Sequence, residues 1–410
     1  MTSSSLFEKF QLDWESLDLV IEGKSAFDAE RFLGGTLRPD SIDSFLAGYG
    51  LLNPGPVMKA ELFGNFQEAL QLIRRYFLKE GSEETGIDLK IPSKIFMITD
   101  LEELVRLAAQ EEETEDKLWA EVILKVVHTI LHVDKDLRNK FFKNIQTQVF
   151  DRFYRYIQRD SNNKLYLGKE GQYDLPLLEF DTKSKKSRDS VIIKLIHKAE
   201  NVAEELFDRV GIRFVTENRF DCLRVINFLI SQGVVVAQNI KPSRSQNSLI
   251  NFEAFKNSYL ELISKAEKEK LSEAELLQEI ENIIEPHNVQ NIDFENAHSS
   301  DQYRSLQFTA RQLIRYRDPF LDEFNKFKQH ISEQYAEDAE LISKMKSLNT
   351  SNISKTIEFF YPYEIQVVDK ESHENNLVGE ASHQEYKKAQ VISARNRLFK
   401  KLVSFYQLEI

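Results

Sequence analysis

The chain has 410 residues, 41% of them hydrophobic and 29% charged, with a formal net charge of −12. That acidity excludes a broad, non-specific nucleic-acid surface, which needs excess cation, while leaving room for a local basic pocket. A single cysteine, Cys222, excludes an intramolecular disulfide framework and fits a reducing cytoplasm, and the length allows two or three domains.

The first residues carry no apolar run of signal-peptide length, and no window nears the roughly 18 apolar residues that span a bilayer. A cytoplasmic protein without membrane attachment is expected. Residues 1–165 read as a helical N-terminal domain. Asp28 and Asp40 open short helical stretches, and Leu51 to Pro56 is a break. Phe66, Leu70, Ile73 and Phe77 recur at helical spacing, and Lys94 to Ile98 reads as a strand. Thr99-Asp100 caps a helix over 101–109, and a strongly apolar helix follows over 118–131.

On that helix His128 and His132 are four residues apart, a spacing that can chelate a metal. The stretch lacks the intervening glutamate of a zinc hydrolase and a third ligand, so structural histidines and no metal are expected. Phe141 to Ile157 is an aromatic-rich helix, read as core or domain contact. A turn at 160–163 and a hairpin within 165–180 bring the chain to its domain boundary, near 160–180. The helical domain itself is a surface for a protein partner or for self-association.

The basic run Lys183 to Arg188 precedes a helix capped by Asp189-Ser190 and running to Glu205. Cations at a helix N-terminus suit phosphate, and a solvated basic loop is the alternative. Asp208 and Arg213 flank the entry to a strand over 211–215, either as an ion pair or as a bound pair of functional groups. A helix over 219–231, a strand over 234–240 and a loop over 242–247 come next. Cys222 falls on the apolar side of that helix and reads as a buried, inert thiol. Charged helical insertions at about 252–286 and 319–348 flank a long strand over 303–316. A last strand over 359–368 and a closing helix over 384–408 complete an α+β domain with a mixed sheet.

Four stretches in this second domain share an order and a chemistry. Asp208-Arg-Val-Gly-Ile-Arg213, Tyr303-Arg-Ser-Leu-Gln307 and Glu364-Ile-Gln366 resemble the Asp-Leu-x-Gly-Ile-Arg, Gly-Tyr-x-Ser-Leu-His and Glu-Ile-Gln segments of the RelA/SpoT synthetases. Gly379 to Lys387 resembles the Ala-Ala-His-x-x-Tyr-Lys segment of that family, and Ser190 to Lys194 its Ser-Ile-x-x-Lys. The resemblance spans about half the chain. It implies a nucleotidyltransferase-like synthetase domain over 166–410 that moves pyrophosphate from ATP to the ribose 3′-hydroxyl of a guanine nucleotide, making (p)ppGpp or a related alarmone.

In that family's terms Asp208 and Glu364 hold magnesium and Glu364 activates the hydroxyl. Lys186, Lys194 and Arg244 neutralise phosphate, Arg213 stacks on adenine, Tyr303 stacks on the acceptor base, and Gln366 belongs to the same binding set. Five positions depart: Ser184 replaces an arginine, Gln246 a lysine, Asn247 an aspartate, Gln307 a histidine and Asp301 an asparagine. Two other readings therefore stay open, a toxin-type enzyme acting on a tRNA 3′ end and an inactive nucleotide-binding or interaction protein. The long RelA/SpoT enzymes also carry a His-Asp hydrolase domain, but residues 1–150 contain no adjacent His-Asp pair.

Overall fold

Proline and side-chain caps mark where three of the N-terminal helices begin. In a computed structural model that describes residues 55–136, 140–183, 187–198, 209–284, 303–317, 319–348, 356–377 and 383–408, with short pieces between 17 and 47, helix α1 (Pro56–Tyr76) starts on a proline. The stretch expected as a strand forms a short helix instead, α2 (Ser93–Phe96). Ile95 is its buried residue, and the next, Ile98, lies just past its end at an interval of three, which is a helical and not a strand spacing. Asp100 accepts from the Glu102 amide at 3.0 Å and starts α3 (Leu101–Ala108). Thr114 caps α4 (Glu115–Lys135), accepting from the Lys117 amide at 3.3 Å.

Helix α5 (Phe142–Tyr154) leads into an antiparallel three-stranded meander, β1 (Ile157–Arg159), β2 (Leu165–Leu167) and β3 (Leu175–Leu177). Its first turn is held by Asp160, whose carboxylate accepts from the Asn162 and Lys164 amides, with Asn163 at φ 63°. Strand β4 (Glu179–Lys183) follows, then α6 (Arg188–His197), which begins one turn earlier than expected because Ser187 is its cap. The expected continuation to Glu205 lies outside the described residues. Strand β5 (Gly211–Thr216) and α7 (Arg219–Ser231) match expectation.

Val234 and Val235 do not form a strand. Gly233, at φ 64°, closes the end of α7, and both valines turn into the core beneath it. Pairing begins only at β6 (Ile240–Asn247), so Pro242 to Asn247 is an edge strand rather than a loop. Pro242 is tolerated there, beside a register shift between Lys241 and Gln246. Helices α8 (Phe252–Glu269) and α9 (Glu273–Ile284) form the first insertion. It is more than a solvated decoration, since Phe255, Leu262, Ile280 and Ile284 are buried in the sheet's core.

Strand β7 (Leu306–Arg317), helices α10 (Pro319–Gln334) and α11 (Ala339–Ser347), strand β8 (Thr356–Asp369), α12 (Lys370–Leu377) and α13 (His383–Tyr406) complete the chain. The main sheet runs β4-β5-β8-β7-β6, with β5 and β8 parallel and the other pairs antiparallel. The fold is α+β with a mixed sheet. Two cores form. One joins α1, α3 and α4 to α6 and α13, around Trp119, Ile123, Ile192 and Phe399. The other lies between the sheet and α5, α7, α8 and α9, around Phe153, Phe214, Tyr363 and Ile365.

Candidate functional site

Strand alternation sorts β8 into two faces. Tyr361, Tyr363, Ile365 and Val367 enter the core, which turns Glu364 and Gln366 to the opposite face. Register then decides their neighbours, because residues in register across strands share a face. One row across all five strands reads Asp181, Arg213, Gln366, Gln307, Gln246. The next reads Lys183, Gly211, Glu364, Thr309, Lys241. The central carboxylate thus has a lysine in its own row on each side, two strand spacings away, roughly 10 Å.

The side chains in these rows are tied together. Gln307 Nε2 donates to Glu364 Oε1 at 2.6 Å, and Gln366 Nε2 donates to the Tyr303 hydroxyl. Burial pushes the Tyr303 phenol up, opposed by that hydrogen bond; Glu364 and Tyr386 raise it further and Arg213 lowers it. Tyr303 therefore lies within the fields of both Glu364 and Arg213. Tyr386, from the segment with the family's Tyr-Lys, reaches the same neighbourhood and bonds Gln390 at 2.7 Å.

Arg213 is bonded on one side only. Its Nη2 donates to Glu179 Oε1 at 3.0 Å and Asp181 Oδ2 at 3.3 Å, while its buried Nε has no partner. His373, on α12, places Nε2 3.4 Å from the other oxygen of Glu179. Arg213 is thus paired with acids of β4, while Asp208, its partner in the pair read from sequence, lies outside the described residues. Arg209, beside it in the chain, pairs with Asp136 at 3.5 Å and lies 4.8 Å over the Phe142 ring.

Of the expected site residues, Glu364, Gln366, Arg213 and Tyr303 come together on this face. Arg244 is half-buried in the shifted part of β6. Lys194 is nine-tenths buried on α6, whose main packing partners are α13 and α4 rather than the sheet. Asp208, Lys186, Ser184 and Asp301 lie outside the described residues. Sequence reading missed Glu179, Asp181 and Lys241, while Lys183 entered only as the first residue of a basic run. A signal existed for the first two, which flank Phe180 in the sequence.

A hard divalent ion asks for oxygen ligands and few of them from protein when phosphates supply the rest. Glu364, half-buried and accepting from the Gln307 amide, offers a carboxylate of the kind such an ion takes. Among the described residues no group of three or more His, Cys, Asp or Glu gathers as a preformed metal cage. His128 and His132 instead pack ring against ring, with centroids 4.3 Å apart, and His128 also meets Phe27 and Phe32. Cys222 is fully buried, 3.1 Å from the Thr216 hydroxyl, and burial pushes its thiol well up.

No family model matches the chain, and no curated protein sequence matches it. Among solved structures the chain is similar to the small alarmone synthetase 1 from Bacillus subtilis, at 10% identity over 66% of this chain and 92% of that one, with a TM-score of 0.25. A score that low does not carry chemistry from one chain to the other. No described helix is long and apolar enough to cross a membrane.

Proposed function

We propose that the polar face of the five-stranded sheet binds ATP and transfers its pyrophosphoryl group to the ribose 3′-hydroxyl of a guanine nucleotide. What supports this is one juxtaposition. Residues from three stretches far apart in sequence, each resembling a RelA/SpoT synthetase motif, fall on one face in register: Arg213 beside Gln366, and Gln366 beside Gln307, with Glu364 bonded to Gln307.

In this reading the 3′-oxygen attacks the β-phosphorus of ATP. The bond from that phosphorus to the α–β bridging oxygen breaks, AMP leaves, and the hydroxyl proton passes to the Glu364 carboxylate. Gln307 holds that carboxylate in place. Glu364 and Asp208 are the proposed magnesium ligands, and the ion would neutralise triphosphate charge. Lys186 and Arg244 act on phosphate, with Lys183 and Lys241 added from the carboxylate's own row; Lys194 has no part in it, being nine-tenths buried on α6, which packs mainly on α13 and α4. Arg213 packs on adenine and Tyr303 on the acceptor base, each through a planar face.

One observation favours a second reading, a nucleotide-binding module without turnover. Glu179 and Asp181 already engage Arg213, and two acids on the same face oppose the stabilisation of negative charge that the transfer step needs. Glu364→Gln separates the two. It keeps size and hydrogen-bonding capacity but removes the group that takes the proton. Loss of pyrophosphoryl transfer by at least a hundredfold, with ATP affinity within a few-fold, supports catalysis. A wild type that binds ATP but transfers to no acceptor supports the module.

A further inference from the structure

Outward from the Glu364 row the sheet narrows to two strands. Gly211, the first residue of β5, pairs with Glu364, and the outermost pairing of β6 is Ile240 with Ala310. From Arg311 opposite Pro362 to Arg317 opposite Thr356, β7 and β8 pair only with each other. The alternation that turns Gln307 and Thr309 to the polar face puts Arg311, Leu313, Arg315 and Arg317 there as well, with Phe360 and Glu358 beside them on β8.

The three arginines are not equivalent. Arg315 Nε lies 2.9 Å from Glu358 Oε1, and Arg317 Nε lies 2.7 Å from Asp322 Oδ2, so each carries its own acid. Arg311 meets no acid and no hydrogen-bond acceptor among the described residues. It is exposed, and its guanidinium carbon rests 5.5 Å from the centre of the Phe360 ring, itself 47% exposed. A ring beside a guanidinium holds the cation by its charge rather than through an acceptor, so the N–H donors remain for an anion. Paired donors of this kind match a phosphate.

Position along the face says which phosphate. The Tyr303 hydroxyl is tied to the Gln366 row, Glu364 stands one row further out, and Arg311 one row beyond that on the neighbouring strand. Rows on one face are two residues apart, about 6.8 Å. Tyr303, Glu364 and Arg311 thus follow in the order base, 3′-hydroxyl, 5′-carbon in which the parts of a nucleotide are joined around its ribose. The acids Glu179 and Asp181 belong to β4, three strand spacings from β7, roughly 14 Å away. We propose that Arg311 binds the 5′-phosphates of the acceptor, so that the site takes a nucleoside 5′-diphosphate or triphosphate and uses those phosphates to set the 3′-oxygen at Glu364. This rests on the acceptor half of the pyrophosphokinase reading, but Arg311 lies in none of the stretches that carry the resemblance.

Calorimetry on the full chain, with magnesium and a saturating ATP analogue that has a methylene group between its α- and β-phosphorus, reads acceptor binding without turnover. GDP, GMP and guanosine are titrated in turn. Arg311→Gln should weaken GDP at least tenfold, GMP less, and leave guanosine and the ATP analogue within twofold. Arg311→Lys, which keeps the charge, should recover most of the loss. Arg315→Gln removes the same charge from the same face and should leave GDP within twofold. Equal losses for GDP and guanosine, or an Arg315→Gln effect as large as that of Arg311→Gln, overturn the proposal. The transfer assay separates it from the reading it rests on. Transfer to GDP with an unchanged KM in Arg311→Gln overturns the phosphate contact and leaves the pyrophosphokinase standing. An Arg311-dependent preference for GDP in a protein that transfers nothing keeps the contact and removes turnover. A wild type that binds no guanine nucleotide overturns both.

Discussion

Acid should loosen the helical core through one side chain, His128. Burial, with a smaller push from His132, holds its pKa down to about 3. The folded ring therefore stays neutral while the unfolded one takes up a proton below about 6.5. The unfolded state then binds more protons, so stability falls as pH falls through the window from about 6.5 towards 3. Each pH unit is worth about 1.4 kcal/mol at full effect. Between pH 6.5 and 5 the full figure is about 2 kcal/mol, and since the ring is only partly buried we expect about 1–2 kcal/mol. The charges nearest the ring offer no relief, because Lys125 stands by the same phenylalanines and His132 lies 4.3 Å away. His128→Phe keeps an aromatic ring against Phe27 and Phe32 and removes the titration. Urea unfolding at pH 6.5 and 5, followed by the fluorescence of buried Trp119 in a Trp14→Phe background, reads the difference. Equal losses of stability in both proteins over that window would refute the reasoning.

Other consequences are as direct. Tyr303→Ala should raise KM for the guanine nucleotide and leave that for ATP within twofold, since a stacked base contributes roughly 1–3 kcal/mol; steady-state kinetics decide it. Neutralising the acids beside Arg213, with Glu179→Gln and Asp181→Asn together, should tighten ATP binding several-fold at low salt, and the gain should fade as salt screens it, as calorimetry at two ionic strengths would read. Lys125, with its pKa lowered to about 8, is neutral in the fold while the unfolded chain still binds its proton up to about 10.5. The helical core should therefore gain stability from pH 8 to 10 in the wild type, and Lys125→Met should flatten that slope in denaturant titrations.

Much of the sheet was legible because its signal is local. Alternation along β8 separates Glu364 and Gln366 from Tyr363 and Ile365 before any partner is known. The bounds of α7 follow from Asn218, whose side chain accepts from the Asp221 amide, and from Gly233 past its end. What failed depends on distant partners. Ile95 and Ile98 look like a strand until no neighbour pairs with them, and Val234-Val235 is equally apolar whether it joins a sheet or plugs a core. The insertion over 252–286 reads as solvated because mixed charges run through its whole length, yet Ile280 and Ile284 are buried against the sheet's helices. Within the site the motif residues were legible as a set, but Glu179 and Asp181 were not, since their tie to Arg213 is a matter of strand order. The burial of Phe27 depends on Arg397, near the other end of the chain, and no periodicity reports such a contact.

The most direct test of the pyrophosphokinase reading is the stoichiometry of products from the wild-type protein. With magnesium and γ-labelled ATP, GDP, GTP, ATP and tRNA are offered in turn, and both the labelled product and the released nucleotide are identified. Transfer to a guanine nucleotide, with one AMP released per labelled product and none from Glu364→Gln, is the predicted result. Label appearing only on tRNA would keep the chemistry and move the acceptor. Release of ADP in place of AMP, or no labelled product with any acceptor, would contradict the account.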